Sequence, residues 1–474
     1  MKRHLISSVG SAIALVVCLN PVLVAAQEAA ASAAVAVNQS PEEAKAAAKA
    51  AKAAAAAEAK KQRELQRLYG LGPYPVEIDA FVSSRPEKLR PLYRTLYTGG
   101  ERNAVLNLQR LGLAAIRSGE WGAAEWAFDK ALMRIEAIYA DNPQANAARS
   151  SFHNEANKDF KGEPYERSMA YYYRGLLYLR AGDYDNARAS FKGAEYQDTL
   201  SEAETYQGDF AIMNYLVGWT QKCQGQTSSA EESFGIATKA QEGLAAPAAG
   251  DNVLFLAEIG NGPVKTRGGS SEEMLQFGPG PAYEESGALF TLTGGAASPA
   301  EVRTLEASSV TYQATTRGGR AIDGIMKGKA NLKQTTGGIG SAAIQAGVMQ
   351  GGDAGMASMG IGLAMSLFAS AMKTKADIRQ WDDLPDQIMV GTAKAKSPKW
   401  SSTVTFVKGD QKLETKPGGW MQGDAKGCSF VWAQSRPNEI VETIVGEDAG
   451  VARAVAAKKD VQKKNLAFRQ WLEL

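Results

Sequence analysis

The chain has 474 residues, with 53 Lys plus Arg against 51 Asp plus Glu and 45% apolar residues. The first 26 residues read as removable and hold Lys2 and Arg3 but no acid, so the remainder is formally neutral; that excludes bulk electrostatic attraction to nucleic acid or anionic lipid as the main function. Beyond residue 26 there are one histidine, His153, and two cysteines, Cys223 and Cys428, too few for the usual zinc sites or a cysteine-rich scaffold.

The start, Met1-Lys2-Arg3-His4, is short and basic, and Leu5 to Val24 is mostly apolar. Val24-Ala25-Ala26 places small residues where a signal peptidase reads, so a secretory signal peptide ending at Ala26 is expected, with Gln27 first in the mature chain. Export implies an oxidising compartment. Cys223 and Cys428 are then able to pair, but they fall in different predicted domains, and their pairing stays open at this point.

Eighteen of the 34 residues from Gln27 to Lys60 are alanine. Ser40-Pro41-Glu42-Glu43 reads as a helix start, with Ser40 as cap and Pro41 at the first helical position. From there to Leu68 the run favours helix and has no large apolar stripe before Leu65, which reads as a solvated helical spacer over 27–74.

From about 75 to 245 the apolar period is helical, and it repeats. Gly112, Gly119, Trp121, Ala124, Phe128 and Ala131 recur as Gly175, Gly182, Tyr184, Ala187, Phe191 and Ala194, then in part as Gly218, Gly225, Ala230, Phe234 and Ala237. Small residues stand where two antiparallel helices touch, a glycine ends the first helix, and an aromatic plugs the gap. The pattern resembles the tetratricopeptide repeat, with Asn214 and Thr227 departing from it in the third copy. Pro86 to Thr98 reads as a preceding helix. A stack of such hairpins implies a concave surface that grips a protein or peptide, or one filled by the chain's own inserts or second domain.

The insert between the first two copies carries Asn154-Glu155-Ala156-Asn157-Lys158-Asp159-Phe160-Lys161-Gly162-Glu163-Pro164-Tyr165-Glu166-Arg167. With Gly182-Asp183-Tyr184 and Ala376-Asp377-Ile378-Arg379-Gln380-Trp381, this run resembles an uncharacterised family of exported Gram-negative proteins, often lipoproteins, with tetratricopeptide-like helices, over roughly residues 75–435. The resemblance implies helical architecture and a periplasmic, cell-envelope location, and supplies no reaction. Glu163 and Glu166 invite a paired-carboxylate reading with Arg167 as an anion clamp; the competing reading is a turn, with Glu163 capping the helix that begins at Pro164.

After Ala245 the pattern turns to short strands: Val253–Leu256, a turn at Asn261-Gly262-Pro263, Val264, Gly287–Thr293, Val302–Thr311, Ser401–Val407, Lys412–Thr415 and Cys428–Trp432, with a hairpin turn at Lys408-Gly409-Asp410. Helices are expected to interrupt them at about 318–390. Within that interruption Gly347, Gly351 and Gly355 are four apart and Gly362 continues a second stripe, so a helical hairpin is expected that either self-associates, contacts membrane or packs on its own domain. The tail, 437–474, reads as one or two helices, basic from about Val451.

The expected fold class is therefore α+β: an N-terminal all-α tetratricopeptide-like helical-repeat domain (75–245), then a β-strand-containing domain (246–436) with an inserted glycine-rich helical hairpin. No phosphate loop, nucleophile elbow, metal-ligand cluster or zinc-protease motif occurs, so no cofactor, metal or nucleic acid is expected. The leading expectation is a non-enzymatic periplasmic scaffold or adaptor that binds a cell-envelope protein or peptide, with Tyr171, Arg174 and Tyr178 as anchors and Glu163, Tyr165 and Arg167 as further partner-binding candidates. The alternatives are a membrane-associated homo-oligomer built on Gly347, Gly351, Gly355 and Gly362, and a hydrolase using Glu163 and Glu166.

Overall fold

A computed structural model of the chain describes residues 41–139, 159–199, 209–269, 272–294, 300–316, 375–395 and 399–474. The expected signal peptide, His153, the run Asn154 to Lys158 and the self-association candidates Gly347, Gly351, Gly355 and Gly362 lie outside these residues. The chain divides into two compact units, Met1–Gly70 and Leu71–Leu474.

In the first unit, α1 (Pro41–Tyr69) is a single helix of 29 residues, about 43 Å long at the usual rise. Its described side chains are exposed apart from Leu65, which is half-buried. Alanine and lysine make this segment helical by propensity and give it no apolar stripe to bury.

The second unit is mixed α and β, with helices in its N-terminal part and sheets in its C-terminal part. It begins with α2 (Pro75–Ser83) and α3 (Arg90–Gly99). Three helical hairpins follow: α4 (Ala104–Ser118) with α5 (Trp121–Tyr139), α6 (Pro164–Ala181) with α7 (Tyr184–Thr199), and α8 (Ala211–Cys223) with α9 (Thr227–Ala240). Gly119 and Gly182 take left-handed φ values of 73° and 72° and end α4 and α6, each beginning a two-residue connection. The recurring glycines are contact points. A Cβ at Gly112 would lie 2.6 Å from the Phe128 ring and one at Gly218 would lie 2.9 Å from Phe234; at Gly175 it would overlap Phe191.

The remaining strands are β1 (Val253–Ile259), β2 (Val264–Gly268), β3 (Met274–Gly278), β4 (Gly287–Thr293), β5 (Ala300–Arg303), β6 (Leu305–Ser309), β7 (Gln387–Ala393), β8 (Ser401–Lys408), β9 (Gln411–Lys412), β10 (Gly419–Ala425) and β11 (Cys428–Gln434). One sheet has the order β10-β11-β1-β7-β6, a second β5-β4-β8-β9, and β2 pairs with β3. In the first sheet β1 runs parallel to β11 and antiparallel to β7. Every residue of β1 is buried because both of its faces are covered: Leu254 and Leu256 join the core of the helical hairpins, while Val253, Phe255, Ala257 and Ile259 face Ala288, Phe290 and Leu292 of β4. The unit thus has three layers, hairpins on sheet on sheet. The first helices of the hairpins face the first sheet, α4 and α6 against β10 and α8 against β6.

Residues 387–390, expected within a helical interruption, belong to the strand β7 (Gln387–Ala393) next to β1. Leu384-Pro385 bars a helix immediately before it, and β7 is buried on both faces, Ile388 and Val390 in the core under the hairpins and Met389 between the sheets. Val302 to Thr311, expected as one strand, is divided: β5 ends at Arg303, β6 joins the other sheet, and α10 (Val310–Thr315) starts at Val310. Cys223 at the end of α8 is disulfide-bonded to Cys428 at the start of β11, with Cα atoms 5.7 Å apart. After β11 the chain runs as an irregular strap through residues 435–447 and ends in α11 (Ala449–Ala456) and α12 (Lys459–Glu473).

Candidate functional site

Asn103, Arg110 and Arg117 are seven apart, two helical turns, so they project from one face of α4; all three are buried, as is Arg102. Buried charged groups need partners. These find theirs in the end of β11 and in two extended segments of the chain itself, 376–386 and the strap. Arg110 Nη2 donates to the carbonyls of Val441 (2.6 Å) and Thr443 (3.0 Å), and its Nε lies 3.4 Å from the Asp382 carboxylate. Arg117 Nη2 donates to the Asp383 carbonyl (2.8 Å), and Arg117 Nε to Gln434 Oε1 (2.5 Å). Asn103 Nδ2 donates to Glu447 (2.8 Å), and Arg102 forms an ion pair with the same carboxylate. Ile440 and Ile444 of the strap pack on the helical core. Three of these contacts go to peptide carbonyls and the rest to side chains, so the face holds the chain by both its backbone and its polar side chains.

A second polar centre lies at the start of α6. Glu166 reaches back three residues to accept the Glu163 amide (2.7 Å), half of a capping box. Its carboxylate also accepts from Lys265 Nζ of β2 (2.6 Å) and from the Trp381 amide (2.9 Å). Lys265 donates in addition to the Arg379 carbonyl (3.1 Å). Arg379 Nη1 donates to Asn103 Oδ1 (2.7 Å), and its Nη2 pairs with Asp377 at 2.5 Å. Burial pushes the Asp377 carboxyl up, but the Arg379 guanidinium outweighs it and holds the group below its ordinary range.

A third centre is Glu258, on the helix-facing side of β1. It accepts hydrogen bonds from Tyr173 of α6 (2.8 Å), Trp432 Nε1 (2.7 Å) and Gln434 Nε2 (3.1 Å). Burial still wins, and the carboxyl is pushed up to about 7. Gln434 takes one bond from Arg117 and gives one to Glu258, which links α4 to the centre of the sheet.

The three centres gather much of what the sequence singled out. Glu163 and Glu166 meet in the cap, and Arg379 and Trp381 contact Asn103 and Glu166. Tyr165 is buried edge-to-face on Phe277. Arg167 is buried and donates to Gln197 (2.6 Å) and to the Gly162 carbonyl (2.7 Å). Tyr165 and Arg167 are thus covered by their own fold and present no face outward. Tyr171, Arg174 and Tyr178 lie together on the other side of α6. Arg174 forks onto Asp129 of α5 (2.6 and 3.2 Å), its guanidinium stacks 3.7 Å over the Tyr178 ring, and the Tyr171 hydroxyl donates to Glu136 (2.9 Å). Sequence reasoning missed Arg110, Arg117, Glu258 and Lys265. The seven-residue spacing on α4 was an available signal for the first two; Glu258 and Lys265 stand in strands with no local pattern to mark them.

Among the described residues, no group of three or more His, Cys, Asp or Glu is placed to hold a metal ion, and no helix is long and apolar enough to cross a membrane. No family model matches the chain, and neither does any curated protein or solved structure.

Proposed function

We propose that the protein is a non-enzymatic scaffold or adaptor of the periplasm that binds a cell-envelope protein or peptide, and that its helical hairpins are tetratricopeptide-like repeats of the exported family it resembles. The repeat reading is supported by the Gly112–Phe128, Gly175–Phe191 and Gly218–Phe234 contacts, which recur at equivalent places in three hairpins. Export into an oxidising compartment is supported by the Cys223–Cys428 disulfide. The hydrolase reading loses its carboxylate pair: Glu166 is fully buried and held by Lys265, Trp381 and the Glu163 amide.

One observation carries the binding reading. The first-helix face of the stack is filled by the chain's own sheet and strap, whereas the half-buried rings of Tyr171 and Tyr178, set by the buried Arg174, form a preorganised row with the exposed acids Asp129 and Glu136. Arginine and tyrosine held in place by neighbours lose little side-chain freedom on binding, which is what concentrates affinity in a few residues. A photo-crosslinking residue at Tyr178 is expected to capture one envelope protein in living cells, and the same residue at Tyr312, exposed on α10, to capture none. Equal labelling from both positions, or none from Tyr178, would remove the reading.

A further inference from the structure

A cleft of about 500 Å³ opens between α2, α3 and α12, within the size range of small-molecule sites. Phe81 and Tyr97 stack in it, with ring centroids 4.5 Å apart. Four charged residues line it, and three of them are engaged with the chain. Glu77 accepts the Tyr74 amide (3.0 Å), Glu473 accepts the Tyr97 hydroxyl (3.3 Å), and Arg469 donates to the Leu71 carbonyl (3.2 Å).

The fourth, Arg85, is different. Its guanidinium lies over the rings of Phe81 (4.7 Å), Tyr93 (5.1 Å) and Trp126 (5.5 Å). Among the described residues no side-chain hydrogen bond or ion pair is made to it, and its Nε is buried without a partner. Stacking occupies the faces of a guanidinium and leaves its in-plane N–H fork unused, and that fork matches a carboxylate. The surroundings add to the positive charge. Lys130 and Arg134 of α5 both stack on Trp471 of α12, at 4.1 and 4.5 Å, and among the described residues only Arg134 has an acid, Glu101 at 2.9 Å. After burial, Arg134 and then Arg85 are what depress the Lys130 ammonium, so these cations feel one another. The two acids that line the cleft are directed at other groups: Glu77 acts on Arg469 and Tyr97, and Glu473 on Tyr97.

We propose that this cleft binds a small organic carboxylate with a flat apolar body, the carboxylate on the fork of Arg85 and the body against the Phe81–Tyr97 stack. The test titrates the full mature chain by calorimetry with three probes of one shape: 2-naphthoate, neutral 2-naphthamide and cationic 2-naphthamidine. 2-Naphthoate is expected to bind at least tenfold more tightly than either of the others. Arg85→Met, which keeps an apolar stem on the rings, is expected to erase that preference, and Arg85→Lys to weaken 2-naphthoate severalfold while keeping it the preferred probe. Equal binding of the three probes, preference for the amidine, no binding at millimolar concentration, or an unchanged preference in Arg85→Met would each overturn the proposal.

Discussion

Lys265 Nζ lies 2.6 Å from the Glu166 carboxylate, with neither side chain more than 2% exposed. The pair joins α6 of the helical hairpins to β2 of the sheet region. Breaking a buried pair on one side leaves an uncompensated charge, at a cost of about 3–5 kcal/mol, whereas neutralising both sides costs far less. Lys265→Met is therefore expected to lower the urea midpoint sharply, and Glu166→Gln combined with Lys265→Met to recover most of the loss. A double variant as unstable as the single one would show that the pair does not couple the two regions.

Glu258 produces a pH dependence of definite sign. The folded carboxyl keeps its proton up to about pH 7, whereas an ordinary glutamate releases it near 4.5. The folded state thus binds more protons across that window, so this residue's contribution to stability falls as pH rises from about 4.5 to about 7, by on the order of 3 kcal/mol, and is level above. Glu258→Gln mimics the protonated form. Chemical denaturation at several pH values is expected to show the variant matching the parent near pH 4.5 and exceeding it near pH 8; a loss that grows with pH would contradict the assignment.

The Cys223–Cys428 bond closes a loop of 205 residues. Loop-closure entropy alone gives such a bridge about 5 kcal/mol, as an upper figure. Adding reductant is expected to lower the denaturation midpoint of the parent and to leave that of the Cys223→Ser, Cys428→Ser variant unchanged. If the parent is equally indifferent to reductant, the bridge is absent or contributes nothing.

Gly112→Ala places a methyl 2.6 Å from the Phe128 ring. Overpacking of this kind costs about 1–3 kcal/mol. Thermal melting is expected to show the loss, and Phe128→Leu added to Gly112→Ala to return part of it. Gly122, with nothing within 4 Å of a Cβ, is the control at which alanine is tolerated.

The hairpins were legible because their spacing encodes a contact: Gly112 and Phe128 are sixteen apart, as are Gly175 and Phe191 and again Gly218 and Phe234, and each pair touches across two helices. Strands with a clear apolar run, such as β1, β4 and β11, were legible too. β7 and β10 were not. β10 contains Gly419, Gly423 and Asp424, poor strand residues, and is extended because β11 pairs along its whole length. The site was legible only in pieces. Glu166 and Lys265 are 99 positions apart and Arg110 and Thr443 are 333 apart, so only the fold brings them together. Glu163 and Glu166 admitted both a catalytic reading and a capping one, and they serve as a helix cap, because the same carboxylate that attracts a catalytic reading is also what an amide at a helix start requires.

The position of β1 bears on synthesis. Its two neighbours, β7 and β11, begin at residues 387 and 428, far downstream of its own start at 253. The three hairpins therefore leave the ribosome long before the surface that covers them exists. Until residue 443 has emerged, Arg110 lacks the carbonyls it binds, and until residue 434 has emerged, Leu254 and Leu256 belong to a strand without its β11 neighbour. Contacts of such long range form slowly and expose apolar chain in the interval. A chain that ends before β11 therefore leaves one edge of β1 unpaired and Arg110 without the carbonyls it binds.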